Sequence, residues 1–438
     1  MKPVSGFSKM TKTEKIQWLA QQFEGKTAAE VTAMTRFWNP DEKVQTRFDE
    51  FAENTLTNYY LPFGVAPNFL INGKHYCVPM VIEESSVVAA ASLSAKFWAE
   101  RGGFKARVIS TRKVGQVHFL WQGDKTRLEE FFAKAKARLI ASIAPIEENM
   151  KKRGGGLVDM SLVDCTGELE NYWQLKLEFE TCDAMGANFI NSVLEEMSRQ
   201  LQQELARSAL PASEREAEVI MCILSNFTPD CLVEVSVECP IEDLGVFSGG
   251  MDAHTFARRF HTAVQIARVD RSRAVTHNKG IMNGIDAVIL ATGNDFRAIE
   301  ACAHAWAAND GKYRSLSQCT LERGRFKFSL TLPLALGTVG GLTNLHPLAN
   351  MSLDIMGRPS AAELMQIAAA VGIAQNFGAV RSLVTTGIQK GHMKLHLLNI
   401  LQQLGATESQ KQTAQEYFAD KVVSYSAVRN LVESSPSA

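Results

Sequence analysis

Residues 276–297 read THNKGIMNGIDAVILATGNDFR. The stretch sets Lys279 and Asp295 on either side of a short apolar segment, Ile285 to Ala291, whose composition marks it as buried. Glycines at 280, 284 and 293 bracket that segment, an arrangement that reads as tight turns and close approach of a ligand. A lysine and an aspartate at the rim of an apolar wall are candidates for perturbed proton affinities. By the residues alone two readings stand level: an active-site pair, or a surface ion pair flanking a buried helix.

Working outward, 219–376 alternates strand-like runs with buried helices, including 296–308 and 360–371, the latter opened by the capping box Ser360-x-x-Glu363. Ahead of it, 11–54 reads as three helices, started by Thr11-x-x-Glu14, by Thr27-x-x-Glu30 and by Asn39-Pro40, with proline at a first helical position. Asn72-Gly73 between apolar runs predicts a β-hairpin, and the alanine-rich helix 86–101 stops at Gly102-Gly103. From about 105 the texture changes. Strand-like runs at 104–109 and 114–121 precede a long charged helix at 125–152, then RGGG at 153–156, strand-like runs at 157–163 and 171–181, and an amphipathic helix at 187–205. The polar segment 207–217, with Pro211, reads as a returning linker. The predicted class is α+β: a large domain from 1–109 and 219–378, an inserted small α+β domain at 110–218, and a helical C-terminal part at 379–438.

With 46% hydrophobic and 21% charged residues among 438, the chain has core enough for two or three domains. A formal net charge of −1 gives no electrostatic case for nucleic acid or an anionic membrane as partner. Eight cysteines, at 77, 165, 182, 222, 231, 239, 302 and 319, form no C-x-x-C pair, so neither a zinc ribbon nor a redox motif is expected. The start, MKPVSGFSKMTKTEK, lacks an apolar signal core, and no stretch reads as long enough for a membrane span. The expectation is a soluble, reduced-thiol, cytoplasmic protein.

Further motifs occur in order along the chain: VPMVIEESSVVAAAS at 78–92, RGGG at 153–156, DAMGAN at 183–188, ILSN at 223–226, VGIAQN at 371–376 and GIQKGHMKLH at 387–396. With the stretch at 276–297 they resemble, in order and spacing over roughly 45–400, the soluble bacterial-type (class II) hydroxymethylglutaryl-CoA (HMG-CoA) reductases. The resemblance implies a large substrate-binding domain, an inserted cofactor domain, a mobile C-terminal flap and active sites at a homodimer interface. It implies interconversion of HMG-CoA with mevalonate plus CoA, by two successive hydride transfers from NADH or NADPH through a bound mevaldehyde-level intermediate. Some positions depart from the family. Its ENxxGT segment reads Glu53-Asn54-Thr55-Leu56-Thr57-Asn58, Ser85 replaces the usual proline, and DRSRAV replaces the commoner DPYRAA.

No G-x-G-x-x-G follows a strand, so the cofactor domain is expected to be non-Rossmann. Asp183-Ala-Met-Gly-Ala-Asn188 sits where a strand meets a helix; it can hold a pyrophosphate there, or Asp183 can simply cap the helix. The resemblance favours the former, with Asp183, Met185, Gly186 and Asn188 in the dinucleotide site and Asn226 near the nicotinamide. Glu147 stands about where NADH-preferring relatives carry an acid for the ribose 2′-hydroxyl, while Lys151, Lys152 and Arg153 suit a 2′-phosphate; the lean is to NADH. Of the Glu83–Glu84 pair, the resemblance makes Glu84 the catalytic acid, beside Lys279, Asp295 and the proton donor His392. It places Asp295 close to both Lys279 and Glu84. Ser86, Arg273, Asn283 and Asn376 become substrate contacts, with Arg273 on the carboxylate. His304 reads as a core histidine. His392 and His396 lie four apart, but Met393 stands where a helical metalloprotease motif needs glutamate, so no metal is expected. Two other classes stand beside this reading: a CoA-thioester-binding protein or transferase without hydride chemistry, and a non-catalytic scaffold.

Overall fold

The computed structural model describes residues 3–385, 397–398, 400–418, 421 and 423–434. Helices α1 (Lys12–Ala20), α2 (Gly25–Thr32) and α3 (Glu42–Asp49) open the chain. Thr11 and Glu14 close the capping box on α1. α2 begins at Gly25 without a side-chain cap, so Thr27 lies inside the helix and starts nothing. Asp41 caps α3, which leaves Pro40 ahead of the helix rather than at its first position.

β1 (Phe63–Ile71) and β2 (Lys74–Val81) form the hairpin across Asn72-Gly73, both at positive φ (48° and 85°), as a two-residue turn of this twist requires. After α4 (Val87–Ala99), the short strand β3 (Lys105–Val108) leads into β4 (Lys113–Leu120). The charged segment that follows is two helices, not one: α5 (Lys125–Ser142) and α6 (Ala144–Lys151) meet at Ile143. Pro145 has no N–H to continue the ladder of α5. Then come β5 (Gly156–Asp164), β6 (Tyr172–Glu180), α7 (Ala187–Ala206) and β7 (Glu218–Leu224).

These last strands form an antiparallel sheet ordered β5-β6-β4-β7, with a hydrophobic core of its own between its inward face and α5 and α7. β7 pairs with β4 from Gly115↔Leu224 to Leu120↔Glu218. The expected boundary at 218/219 therefore falls too early, ahead of a strand that hydrogen-bonds into this sheet.

β8 (Leu232–Pro240), α8 (Ala253–Val269), α9 (Arg271–Ala291), α10 (Phe296–Ala307), β9 (Ser317–Glu322) and β10 (Arg325–Pro333) follow, then α11 (Gly341–Leu345), α12 (Pro347–Ile355) and α13 (Ala361–Val384). β3 joins these strands in a second sheet, β3-β8-β10-β9. One continuous core joins that sheet to the β1–β2 hairpin, α4, α8, α9, α10 and α13. α13 is long and apolar enough to cross a membrane, contrary to the sequence expectation, yet most of it is buried inside this core. A third, separate core is made by Leu397, Ile400, Leu401, Ala406, Ala414, Phe418 and Val428.

The stretch at 276–297 is mostly one uninterrupted helix, α9, so Gly280 and Gly284 do not turn the chain. Gly284 serves packing: a methyl group there would lie 2.8 Å from the Val371 carbonyl oxygen of α13. Only Gly293, at φ 68°, makes a turn.

Candidate active site

The loop between β2 and α4 carries Glu84 against α9. Lys279 Nζ donates to Glu84 Oε2 at 2.7 Å, and Asn283 Nδ2 donates to the same oxygen at 3.3 Å. Lys279 and Asn283 are one helical turn apart, so one face of α9 presents both. The ion pair is open to solvent, with the lysine side chain 60% and the glutamate side chain 38% exposed.

Beside Glu84, Ser86 holds the left-handed conformation (φ 76°) at the N-terminus of α4, where its hydroxyl makes no capping hydrogen bond. The start of that helix therefore keeps its amides without a side-chain partner. Arg273 lies on α9 ahead of Lys279. Partial burial draws its pKa down, and no carboxylate among the described residues opposes the effect.

Asp295 is elsewhere. Its carboxylate caps α10 through the amides of Arg297 and Ala298, and pairs with the Arg297 guanidinium at 2.9 Å. Burial raises its pKa, but those donors outweigh burial and hold it below the usual carboxylate range. The expected closeness of Asp295 to Lys279 and Glu84 is thus absent within one chain. From Lys279 to the end of α9 at Ala291 the helix rises about 18 Å before the turn to Asp295. The strongly shifted acid of the stretch is Asp286, which burial first and the Glu300 carboxyl second push up to about 8.

Asn376 also departs from expectation. It is 1% exposed; its Oδ1 accepts from Ser317 Oγ at 2.8 Å and its Nδ2 reaches the His277 carbonyl at 3.4 Å. His277 Nε2 lies 2.6 Å from the same Ser317 hydroxyl. Burial, with the Arg273 charge adding to it, pulls His277 down to about 3, so the network is neutral. Asn376 therefore braces α9 against α13 and β9 and is closed off from solvent in this chain. His392 and His396 lie outside the described residues.

At the cofactor motif, Gly186 (φ 91°) precedes α7, and no side chain caps that helix. Asp183 caps a different one: its Oδ1 accepts from the Ala361 amide of α13 at 2.7 Å, and its carbonyl from Thr338 at 2.8 Å. The reading of Asp183 as the cap of α7 is corrected by this: its carboxylate ties the motif to the larger core. The free amides at the start of α7, with Asn188 exposed in the first turn, fit an anionic pyrophosphate. Met185 and Asn226 line a small cavity with Lys113, Thr228, Ala298 and Ile299.

Glu147 is neither helix surface nor a free ribose acceptor. It is fully buried, accepts from the Leu157 amide, and lies 2.7 Å from Lys151 Nζ, under the glycine loop 154–156. Replacing it with Ala is expected to strip that loop of its brace, costing about 1–3 kcal/mol. Thermal melting should fall and kcat/KM should drop for NADH and NADPH alike. A shift of the NADPH/NADH ratio at unchanged melting would reinstate a ribose contact.

A carboxyl and an ammonium sharing one open site, with a separate anion-receptive helix start, equip an oxidoreductase that handles protons at a polar carbonyl. Comparison with known proteins identifies which. The profile of the hydroxymethylglutaryl-coenzyme A reductase family matches residues 12–397. The 3-hydroxy-3-methylglutaryl-coenzyme A reductase of Archaeoglobus fulgidus is 35% identical over 408 residues, spanning 92% of this chain and 88% of that one. A probable reductase of the same name from Borreliella burgdorferi is 34% identical, spanning 81% and 79%. The class II HMG-CoA reductase of Streptococcus pneumoniae, solved with NADPH in open conformations, superimposes with a TM-score of 0.73 at 35% identity, covering 97% of this chain and 99% of that one. The chain belongs to the HMG-CoA reductase family. It is an enzyme of nicotinamide-dependent reduction of HMG-CoA to mevalonate.

Proposed function

We propose that the enzyme acts as a homodimer in which Glu84, Lys279 and Asn283 of one subunit meet Asp295 of the partner subunit. The observation that carries this is the length of α9, which keeps Lys279 and Asp295 apart in one chain. Asp295 opens α10, whose Ala298 and Ile299 line the same cavity as Met185 and Asn226. One chain thus supplies a substrate end and a cofactor end, and a two-fold pairing brings unlike ends together. An exposed apolar face on α11 and α12, with Leu345, Leu348, Met351 and Ile355, suits the contact.

In this site Arg273, which pairs with no carboxylate among the described residues, takes the substrate carboxylate, and Ser86 and Asn283 supply further polar contacts. Asp183, Met185, Gly186, Asn188 and Asn226 form the cofactor segment; Asp183 acts through its bond to α13. A nicotinamide dinucleotide held by these residues would supply the hydride for the thioester carbonyl and, after exchange, for the aldehyde. Lys279 stabilises the oxygen on which charge develops in each step. Glu84 delivers the proton to the new alcohol, and Asp295 of the partner subunit keeps Lys279 cationic. His392 protonates the departing CoA thiolate.

Because Glu147 is enclosed, it sets no charge against a 2′-phosphate, while Lys152 and Arg153 are exposed beside it. The expectation therefore moves from NADH towards acceptance of NADPH. All eight cysteines are free thiols, which suits the reducing cytoplasm.

Subunit mixing tests the arrangement. Lys279→Ala and Asp295→Ala proteins, each inactive alone, are refolded or exchanged together. A mixed dimer then holds one doubly altered site and one intact site, so full exchange should restore about a quarter of wild-type activity. Were both residues to act within one subunit, mixing would restore nothing.

A further inference from the structure

The face of α9 that meets α10 carries an acid the mechanism does not use. The turn at 292–295 joins the two helices, and Asp286 of α9 stands against Glu300 of α10, with the two carboxyls in hydrogen-bonding reach of each other. A carboxylate only accepts hydrogen bonds, so a bond between two carboxyls requires that one of them hold a proton. Asp286 Oδ1 is closed to solvent, and no described amide, hydroxyl or ammonium donates to it in place of that proton. Burial first, and the Glu300 carboxyl second, push Asp286 up to about 8. Near neutral pH the pair therefore holds one proton between two acids.

No counter-charge takes over the role of the proton. Among the described residues Glu300 is the one charge that acts on Asp286. Lys279, on the same helix, pairs with Glu84, and Arg297 of α10 pairs with Asp295. On the other elements packed against α9, Lys74 of β2 pairs with Glu363 of α13, and Asp354 of α12 with Arg358. No charge on α4 or α8 acts on Asp286. One helical turn beyond Glu300, His304 Nδ1 lies 2.7 Å from the Tyr313 hydroxyl, and burial together with the Glu300 charge resists ionisation of that phenol. The pair stands between the two halves of the chemistry. Lys279 and Asn283 lie earlier on α9, Asp295 opens α10, and Ala298 and Ile299 line the cavity with Met185 and Asn226.

We propose that Asp286 and Glu300 are positioning residues that share one proton, and that the hydrogen bond it makes latches α10 to α9 with Asp295 and Ile299 in place. Loss of the proton sets two carboxylates against each other between the helices and loosens the latch. In the unfolded chain Asp286 has the ordinary value of about 3.9. The stability that the latch adds is complete below that value, declines as the pH climbs, and is gone above the folded value of about 8. For its effect on rate the inference rests on the reading of Asp295 as an active-site acid; its effect on stability stands without that reading.

The test replaces Asp286 with Asn, which keeps the shape and supplies a permanent donor to Glu300. Glu300→Gln does the same from the other side and serves if D286N folds poorly. The melting temperature of the wild type should decline between about pH 5 and about pH 9, and the decline should flatten in D286N, which becomes the more stable protein above about pH 8. The second readout is kcat on mevaldehyde, a substrate that calls on no acid for sulfur. In the wild type it should drop about tenfold from about pH 7 to about pH 9, following the protonated fraction of an acid of about 8, and in D286N far less. Parallel melting profiles for the wild type and the folded variants would overturn the shared proton. A flattened melting profile with an unaltered kcat profile would confine the pair to stability and overturn its positioning role. Wild-type kcat in Asp295→Ala would instead overturn the site reading on which the rate effect rests.

Discussion

Lys279→Ala is expected to abolish reduction of both HMG-CoA and mevaldehyde while leaving the protein folded. Each reduction passes through a carbonyl oxygen that gains charge, and Lys279 is the ammonium placed to meet it. A single preorganised donor of this kind is typically worth about 3–4 kcal/mol, or roughly 10²–10³ in kcat. Stability should scarcely change. The lysine side chain is 60% exposed, and an open ion pair such as Lys279–Glu84 contributes little to folding. Asn283 remains bonded to Glu84 when the lysine is gone, so the carboxyl keeps one of its two partners. The measurement is steady-state kinetics on both substrates beside a melting curve. Near-wild-type rates with intact melting would remove Lys279 from the mechanism, and a loss confined to HMG-CoA would mean it serves binding rather than the oxyanion.

What the sequence makes legible here is local. Thr11 with Glu14 and Ser360 with Glu363 close their boxes because both partners lie within one turn. Asn72-Gly73 turns because the two residues suffice for the conformation. The four-residue spacing of Lys279 and Asn283 gives them a common face on any helix. What fails is the choice of distant partner. Asp183 looks like a cap for α7, yet it caps α13, 178 residues on. Asn376 looks like a polar contact in an apolar run, but Ser317, 59 residues earlier, claims its carbonyl oxygen. Gly284 reads as a tight turn because nothing nearby reveals that α13 will press its backbone against it. In each case the residue type was informative and the tertiary neighbour decided its work.

The separation of Asp295 from Lys279 has the same origin. In sequence they flank an apolar segment and look like one site; as a helix the run from Lys279 to Ala291 becomes a spacer about 18 Å long. In the proposed homodimer a second copy reunites these acid–base groups. On that reading, dilution that dissociates the dimer should cost activity before it costs secondary structure.

His392→Gln should separate the two half-reactions. His392 lies outside the described residues, and the argument for it is chemical. Expulsion of CoA releases a thiolate whose thiol has a pKa of about 8.5, and an imidazolium of about 6.5 protonates it downhill. Free mevaldehyde has no such leaving group, so in the proposed mechanism its reduction calls on Lys279 and Glu84 but on no acid for sulfur. Glutamine keeps similar bulk and some hydrogen bonding while removing the titratable proton. HMG-CoA reduction should therefore fall by about 10²–10⁴, the usual range for a lost general acid. Mevaldehyde reduction should fall far less. The wild-type rate on HMG-CoA should decline above the histidine's pKa, and the variant should lose that limb of the profile. Equal losses on both substrates would assign His392 to flap closure or folding, and a bound zinc ion released by the substitution would sink the acid role altogether.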